Sequence, residues 1–484
     1  MTAPAERHRW RAYWACVAVA ALTIVDLTKV NVALPSIEQA FSASSTELQL
    51  VVSGYVLTFG LALVPSGRIG DQRSRKAMLI VGLTVFTASS VVAALAPTIT
   101  VLLVARLVQG IGAGIQMPQV IGMVQELFQG QERGRAFGLF GATIGIATAF
   151  GPTLGGLAIA LGGAQDGWRW IFWMNVPLGI AAIIAIAVLL PGKAPGSKGR
   201  LSLDPVGLLL FAVTVISLMW PFLFTTGSPE DNPRRWWLLV VFVVAAALFV
   251  WWERRYAASG RAPLVALSLF RIGSYRNGTL LATAYFAAAP AMFLLSTLFL
   301  QDGLGLAAVF AGMTSIGFAL ASAATSWWGG LHVSRLGRPI VVVGVVIVLV
   351  SVVLLVVAAI VLPAEVVPWA MAAVMVIGGA GGGLVIAPNQ TLALEDVPVA
   401  EGGLAGSVGQ LGQRIGAAIG SAVALSLFYA TIYRETGDQP STVVYHDAFA
   451  LGMTAVAVML ALALLAGVVD LAGRRGEVLA AASE

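Results

Sequence analysis

The chain is expected to fold as an all-α polytopic membrane protein that crosses the bilayer fourteen times. Three features of the sequence predict this. Hydrophobic residues fill 58% of the 484 positions and charged residues only 11%, where a soluble chain of this length carries about 25% charge. The apolar residues gather in runs long enough to cross hydrocarbon, which takes about 20 residues of helix. The basic residues fall almost entirely in alternate connections between those runs, as expected when one side of the membrane retains positive charge.

In chain order the runs cover 11–34, 48–66, 77–96, 99–124, 136–161, 170–190, 203–224, 236–252, 277–300, 306–328, 339–361, 366–388, 402–430 and 446–470. The first is too long for a signal peptide and lacks a small-residue cleavage site, so it is expected to stay in the membrane. An even number of spans puts both termini on one side. With that side cytoplasmic, 21 Lys and Arg fall in inner connections and tails, and only Arg169, Arg234, Arg235 and Arg434 fall outside. Lys29, Arg106 and Arg414 remain in or beside spans.

Other classes find little support. The net charge of +5 sits in short connections, where it sets topology and is no sign of nucleic-acid binding. His8, His332 and His446 are scattered and form no metal spacing such as HExxH, and no serine or cysteine stands in a nucleophile setting. An enzyme is therefore not expected, nor a cofactor. Cys16 is the only cysteine, so no intrachain disulfide forms. Arginine outnumbers lysine 24 to 4, which points to a GC-rich bacterial genome.

The chain contains a weak internal repeat. The connection after the second run reads GRIGDQRSRK (Gly67–Lys76), and the one after the tenth reads GLHVSRLGRP (Gly330–Pro339). Each begins with Gly and carries Arg eight residues later, at Arg75 and Arg338. The offset of 263 residues is too long for six helices and suits eight. Two six-helix halves with two helices between them are therefore expected: 1–190, 191–262 and 263–484. The hydrophilic stretch Pro191–Arg200 marks the end of the first half.

Several segments, in order along nearly the whole chain, resemble the fourteen-span drug:proton antiporters of the major facilitator superfamily, the EmrB/QacA type. Gly67, Asp71, Arg75 and Lys76 match that family's loop between spans two and three, while Gln72 and Ser74 depart from it. The resemblance implies a cytoplasmic gate there. In physical terms Gly67 permits close helix approach, and Asp71 can accept hydrogen bonds from basic groups or a helix N-terminus. LLVARLVQGIGAG (Leu102–Gly114) resembles the span-four motif, whose arginine, here Arg106, is linked to proton coupling; Gln109 and Gly110 share its helix face. GATIGIATAFGPTLGG (Gly141–Gly156) resembles the span-five antiporter motif, with Gly145, Gly151, Pro152, Gly155 and Gly156. Its small-xxx-small pairs, Gly141 with Gly145 and Gly151 with Gly155, let helices touch. WRWIFWMNVPLG (Trp168–Gly179) resembles the junction of spans five and six, and no chemistry is assigned to it.

VDLTKVNVALP (Val25–Pro35) resembles the span-one motif, whose acidic residue is Asp26. The departure is Lys29, where the family has an apolar residue. Positions i and i+3 share a helix face, so the two side chains can pair. A paired carboxylate stays ionised and is a poor proton carrier. Three readings stay open: Lys29 is the switched group, the pair opens to an anionic or zwitterionic head group, or the pair is structural.

The resemblance implies the major facilitator fold, substrate near the bilayer midplane, alternating access, and export of an amphipathic small molecule against protons. The rival keeps the fold and exports or flips a lipid, fatty acid or secreted metabolite. Asp26, Lys29 and Arg106 are expected in a solvated gap between the two bundles. Tyr285, Phe286, Asn389, Gln410 and Arg414 are candidate pocket residues, with Trp220, Met292 and Phe293 as further apolar lining. The expected setting is a bacterial inner membrane, with a monomer in contact with its lipids.

Overall fold

The computed structural model describes residues 3–163, 166–191, 204–225, 231–435 and 441–481, and every regular element among them is a helix. The hydrophilic stretch expected to end the first half lies, after Pro191, outside the described residues. The helices are α1 (Ala3–Phe41), α2 (Ser45–Gln72), α3 (Arg75–Ala94), α4 (Ile99–Leu127), α5 (Gly130–Gly162), α6 (Gly167–Trp173), α7 (Asn175–Leu189), α8 (Pro205–Leu223), α9 (Leu238–Ala258), α10 (Gly273–Leu298), α11 (Ala308–Met313), α12 (Ile316–Leu336), α13 (Arg338–Val361), α14 (Val367–Ala393), α15 (Gly402–Glu435) and α16 (Ser441–Ala481). Among the described residues, 13 helices are long and apolar enough to cross a membrane, α6 and α7 counting as one. The fourteenth rod is α12, which carries Ser322, Thr325, Ser326, His332 and Arg335 and is correspondingly less apolar.

Helix starts follow local chemistry. Ser44 and Glu47 close a capping box at α2, and the side chains of Ser74 and Thr98 accept from backbone N–H groups at the starts of α3 and α4. Each such cap satisfies a donor that the helix cannot. Two sequence expectations need correction. The run 306–328 was placed too early, because a short α11 precedes a rod that continues to Leu336. The motifs Gly67–Lys76 and Gly330–Pro339 are mostly helix. Only Arg73 and Ser74 interrupt the first, and Gly337 alone interrupts the second. Gly337 has φ +59°, which glycine adopts without a Cβ clash.

Two large buried apolar clusters organise the packing. One gathers Cys16, Tyr55, Phe59, Phe86, Met117 and Phe137. The other gathers Tyr285, Met292, Phe299, Met371, Phe428 and Met453. The groups meet along two seams, α2 against α15 and α5 against α12. The inserted pair α8–α9 packs beside the first seam, since α8 touches both α2 and α15. Asp204 ties that pair together. Its carboxylate caps α8 through the Gly207 amide at 2.9 Å and accepts from Trp252 Nε1 of α9 at 2.6 Å.

The start of α1, the α2–α3 and α4–α5 turns and the start of α15 gather at one end of the bundle, here called the basic end. Arg9 binds Glu132 and the Leu127 carbonyl there. Arg169 marks the opposite end, donating to the Ala94 and Ala96 carbonyls.

Candidate functional site

Asp26 is the centre of a fully buried polar cluster. Its Oδ2 accepts from Arg106 Nη1 at 2.8 Å. Its Oδ1 accepts from Asn175 Nδ2 at 2.7 Å and lies 3.4 Å from Lys29 Nζ. Lys29 Nζ also donates to Asn175 Oδ1. Arg106 donates onward to Gln109 Oε1 at 2.7 Å, and Gln109 Nε2 donates to Ser90 Oγ at 2.8 Å. The Arg106 guanidinium lies over the Tyr55 ring at 4.2 Å. Five helices, α1, α2, α3, α4 and α7, supply these groups. Each charge is held by partners in its own group of helices, which is how ions survive at membrane depth.

This placement corrects one expectation and sharpens another. Asp26, Lys29 and Arg106 do not line a gap between bundles; all three lie inside the first group, 0–1% exposed. The i,i+3 pairing of Asp26 with Lys29 does form. The segment to which no chemistry was assigned supplies the missing member, Asn175, at the break between α6 and α7. Within WRWIFWMNVPLG the available signal is a single carboxamide in the apolar stretch that follows Arg169.

The glycines of α5 connect this cluster to the seam. A Cβ at Gly155 would lie 2.9 Å from the Lys29 carbonyl oxygen and 3.0 Å from its Cβ, and Gly151 abuts Thr28. Nearer the basic end the same helix faces the other group. A Cβ at Gly138 would lie 2.8 Å from the Ser326 carbonyl oxygen and 2.9 Å from Gly330 Cα, and one at Gly145 would lie 3.4 Å from the Ala319 carbonyl oxygen. Gly156 and Pro152 touch neither surface so closely: Pro152 is exposed and nothing lies within 4 Å of a Cβ at Gly156.

The other seam closes at the basic end. A Cβ at Gly67 would lie 2.8 Å from the Gly403 carbonyl oxygen, so α2 and α15 touch backbone to backbone there. Asp71 accepts from the Gly403 and Leu404 amides at 3.1 and 2.8 Å, and from Arg75 Nη2 at 2.7 Å. These amides open α15, where orphan donors and the helix dipole favour an anion. Arg75 also reaches the Val399 carbonyl at 2.8 Å across the seam and Glu126 at 2.8 Å within its own group. Lys76 does not join the seam. It donates to the Ala187 and Leu190 carbonyls, closing the end of α7.

The candidate pocket residues divide. Tyr285 is 1% exposed in the second core, with Phe286 edge-on against it at 5.5 Å. Asn389 is committed to structure, donating to the Gly278 carbonyl at 2.9 Å and accepting from Arg338 Nη1 at 2.6 Å. Arg338 is paired in turn with Asp470, a partner 132 positions away that no local pattern announces. Gln410 and Arg414 lie on α15 toward the α2 seam, where the Arg414 guanidinium sits 4.7 Å from the Phe59 ring centre.

Comparison with known proteins agrees with this architecture. The sequence profile of the Major Facilitator Superfamily matches residues 16–421. The chain is 31% identical over 439 residues to the probable actinorhodin transporter of Streptomyces coelicolor, covering 89% of this chain and 74% of that protein. It is 30% identical over 410 residues to the multidrug resistance protein Stp of Mycobacterium tuberculosis, covering 84% and 74%. Against the tetracenomycin C resistance and export protein of Streptomyces glaucescens it is 27% identical over 429 residues, covering 87% and 76%. Among solved structures, the human organic anion transporter MFSD10 aligns with TM-score 0.62 at 14% identity, over 93% of this chain and 99% of that one. The proton:xylose symporter XylE aligns equally at TM-score 0.62 and 14% identity, over 93% and 95%. At that identity the likeness is one of fold.

Proposed function

The chain belongs to the Major Facilitator Superfamily and is thus a multi-pass membrane transporter of small molecules, and from that premise we propose that it exports an amphipathic compound in exchange for protons. The relatives' export and resistance roles support the direction. The protein acts as a monomer in a bacterial inner membrane, divided as 1–190, 191–262 and 263–484. The basic end, with both termini, faces the cytoplasm, in keeping with positive charge retained inside.

One observation carries the coupling: two cations share the single carboxylate of Asp26 in a buried site. An arginine guanidinium does not give up its proton in proteins. With Lys29 protonated the cluster holds one surplus positive charge. With Lys29 neutral it is balanced. Lys29 is therefore the proton carrier, and Asp26 is the fixed counter-ion. The backbone of Lys29 packs against α5 at Gly155, so a parting of α1 from α5 is the step that would admit water to the lysine. Because α5 also carries the seam with α12, proton exchange and movement of the two groups are linked through one rod. A proton and a substrate that favour opposite-facing states then drive each other's transport.

The test is transport in proteoliposomes with an imposed pH gradient. Lys29→Met should bind substrate and fold normally yet lose gradient-driven export. Export that keeps its dependence on the gradient in Lys29→Met would remove the lysine from the coupling step.

A further inference from the structure

We propose that Arg414 is the recognition point for an acidic group on the transported molecule, so that the exported substrate is an amphipathic anion. This rests on the exporter reading and names its substrate class. The other arginines buried in the helical bundle have carboxylate partners: Arg75 with Asp71, Arg106 with Asp26, Arg338 with Asp470. Arg414 differs. It lies within the span formed by α15, is partly exposed, and among the described residues no carboxylate lies within 4.0 Å of it. A guanidinium at membrane depth needs a counter-charge or water.

The surroundings suit the acid end of an amphiphile. Gln410 is one helical turn away and offers a carboxamide donor beside the guanidinium. The Tyr55 hydroxyl is fully buried and, among the described residues, has no hydrogen-bond partner. The seam is screened on one flank by the inserted pair. A Cβ at Gly60, one residue from Phe59, would meet Leu411 Cδ1 of α15 at 3.5 Å and Met219 Sδ of α8 at 3.6 Å. Phe59, Leu411 and Met219 supply apolar surface for the body of the ligand. Asp26 is already held by Arg106, Lys29 and Asn175, which makes it a poor counter-ion for a cationic substrate.

The site is also joined to the proton cluster. Arg106 lies 4.2 Å over Tyr55, the Tyr55 and Phe59 ring centres are 6.2 Å apart, and Arg414 lies 4.7 Å over Phe59. An acid that draws Arg414 off Phe59 frees the ring that backs Tyr55, and so reaches Arg106.

The experiment uses the full chain in nanodiscs of zwitterionic phosphatidylcholine, with 1-pyrenebutyrate and its methyl ester as probes, read by fluorescence anisotropy. Wild type should bind the acid saturably and more tightly than the ester. Arg414→Gln should weaken acid binding about tenfold to hundredfold, the loss of a charge-assisted bond, and leave ester binding unchanged. Arg414→Lys should recover part of the loss. Equal binding of acid and ester by wild type, no saturable acid binding, or full acid affinity in a monodisperse Arg414→Gln protein would each overturn the proposal. A parallel arm replaces part of the lipid with phosphatidylglycerol. Arg414-dependent displacement of the probe assigns the acid to a lipid head group, and no displacement assigns it to a free acid. Gradient-driven export of the ester by Arg414→Gln separates the two readings: the exporter stands even where the anion site falls.

Discussion

Arg106 and Arg338 are both buried guanidiniums, each held by a carboxylate from another helix and by a carboxamide. Arg106 donates to Asp26 and Gln109; Arg338 pairs with Asp470 and donates to Asn389. They differ in two respects. Arg338 opens α13 at the basic end, while Arg106 lies inside the span. Beside the Arg106–Asp26 pair stands a second cation, Lys29. The two sites thus share an arginine–carboxylate pair, and at the first of them a lysine adds a surplus positive charge. A balanced pair fastens helices, whereas a cluster with a surplus charge has a reason to release a proton.

The strongest way to break that contrast is to neutralise each carboxylate. Asp26→Asn takes from two buried cations, Arg106 and Lys29, the carboxylate they share, and Asp470→Asn takes from Arg338 the carboxylate it pairs with. Loss of one partner of a buried pair costs about 3–5 kcal/mol, so both variants should give less folded protein, Asp26→Asn the less of the two. Transport per folded molecule should separate them: absent in Asp26→Asn, near wild type in Asp470→Asn. An Asp470→Asn protein that is folded and equally inactive would erase the distinction between the clusters.

The seams offer the next test. Gly138 lies against backbone atoms of α12, so Gly138→Val cannot be accommodated by a side-chain rotation. The α5–α12 seam should stay parted at the basic end. In a Cys16→Ser background, a cysteine at Ala387 should react with a water-soluble maleimide at least about tenfold faster when Gly138 is valine, a shift of about 1.4 kcal/mol or more toward the open form. Unchanged labelling would mean that the seam is not the closing surface.

A smaller effect is expected where the contact is polar. Asp71→Asn keeps the shape but loses the anion at the start of α15 and weakens the bond to Arg75. Hydrogen bonds to charged groups contribute about 1.5–3 kcal/mol. Amide hydrogen exchange at Gly403 and Leu404 should accelerate about tenfold, with exchange in α13 unaffected. Equal acceleration in both would indicate general destabilisation instead of an opened seam.

How much of this was legible beforehand depends on the separation of the partners. Helical spans need only a run of apolar residues, and the Asp26–Lys29 and Arg106–Gln109 pairs need only i,i+3 spacing, so all were visible. The Asp71 bond to a helix start was foreseeable in kind, because the residue type accepts such bonds, but not in address. Asn175 binds Asp26 across 149 positions and Asp470 meets Arg338 across 132. Pairing at that range is decided by the fold. Asn389 illustrates the same limit: a polar atom in an apolar run marks a site that needs a partner, without saying whether the partner is protein or substrate.

The finest comparison is between neighbours. Gly155 and Gly156 are adjacent in α5, yet only Gly155 meets α1, through the carbonyl oxygen and Cβ of Lys29. Alanine is the better helix former by about 1 kcal/mol, and at Gly156 nothing opposes that gain. Gly156→Ala should leave transport unchanged and raise the thermal midpoint slightly. At Gly155 the same methyl group pushes on the backbone of Lys29, so Gly155→Ala should cost stability and shift the proton dependence of transport. Both are read in one assay, export rate against the imposed gradient. If the two alanine variants behave alike, α5 does not press on the lysine, and the link between the proton cluster and the moving seam must run through another helix.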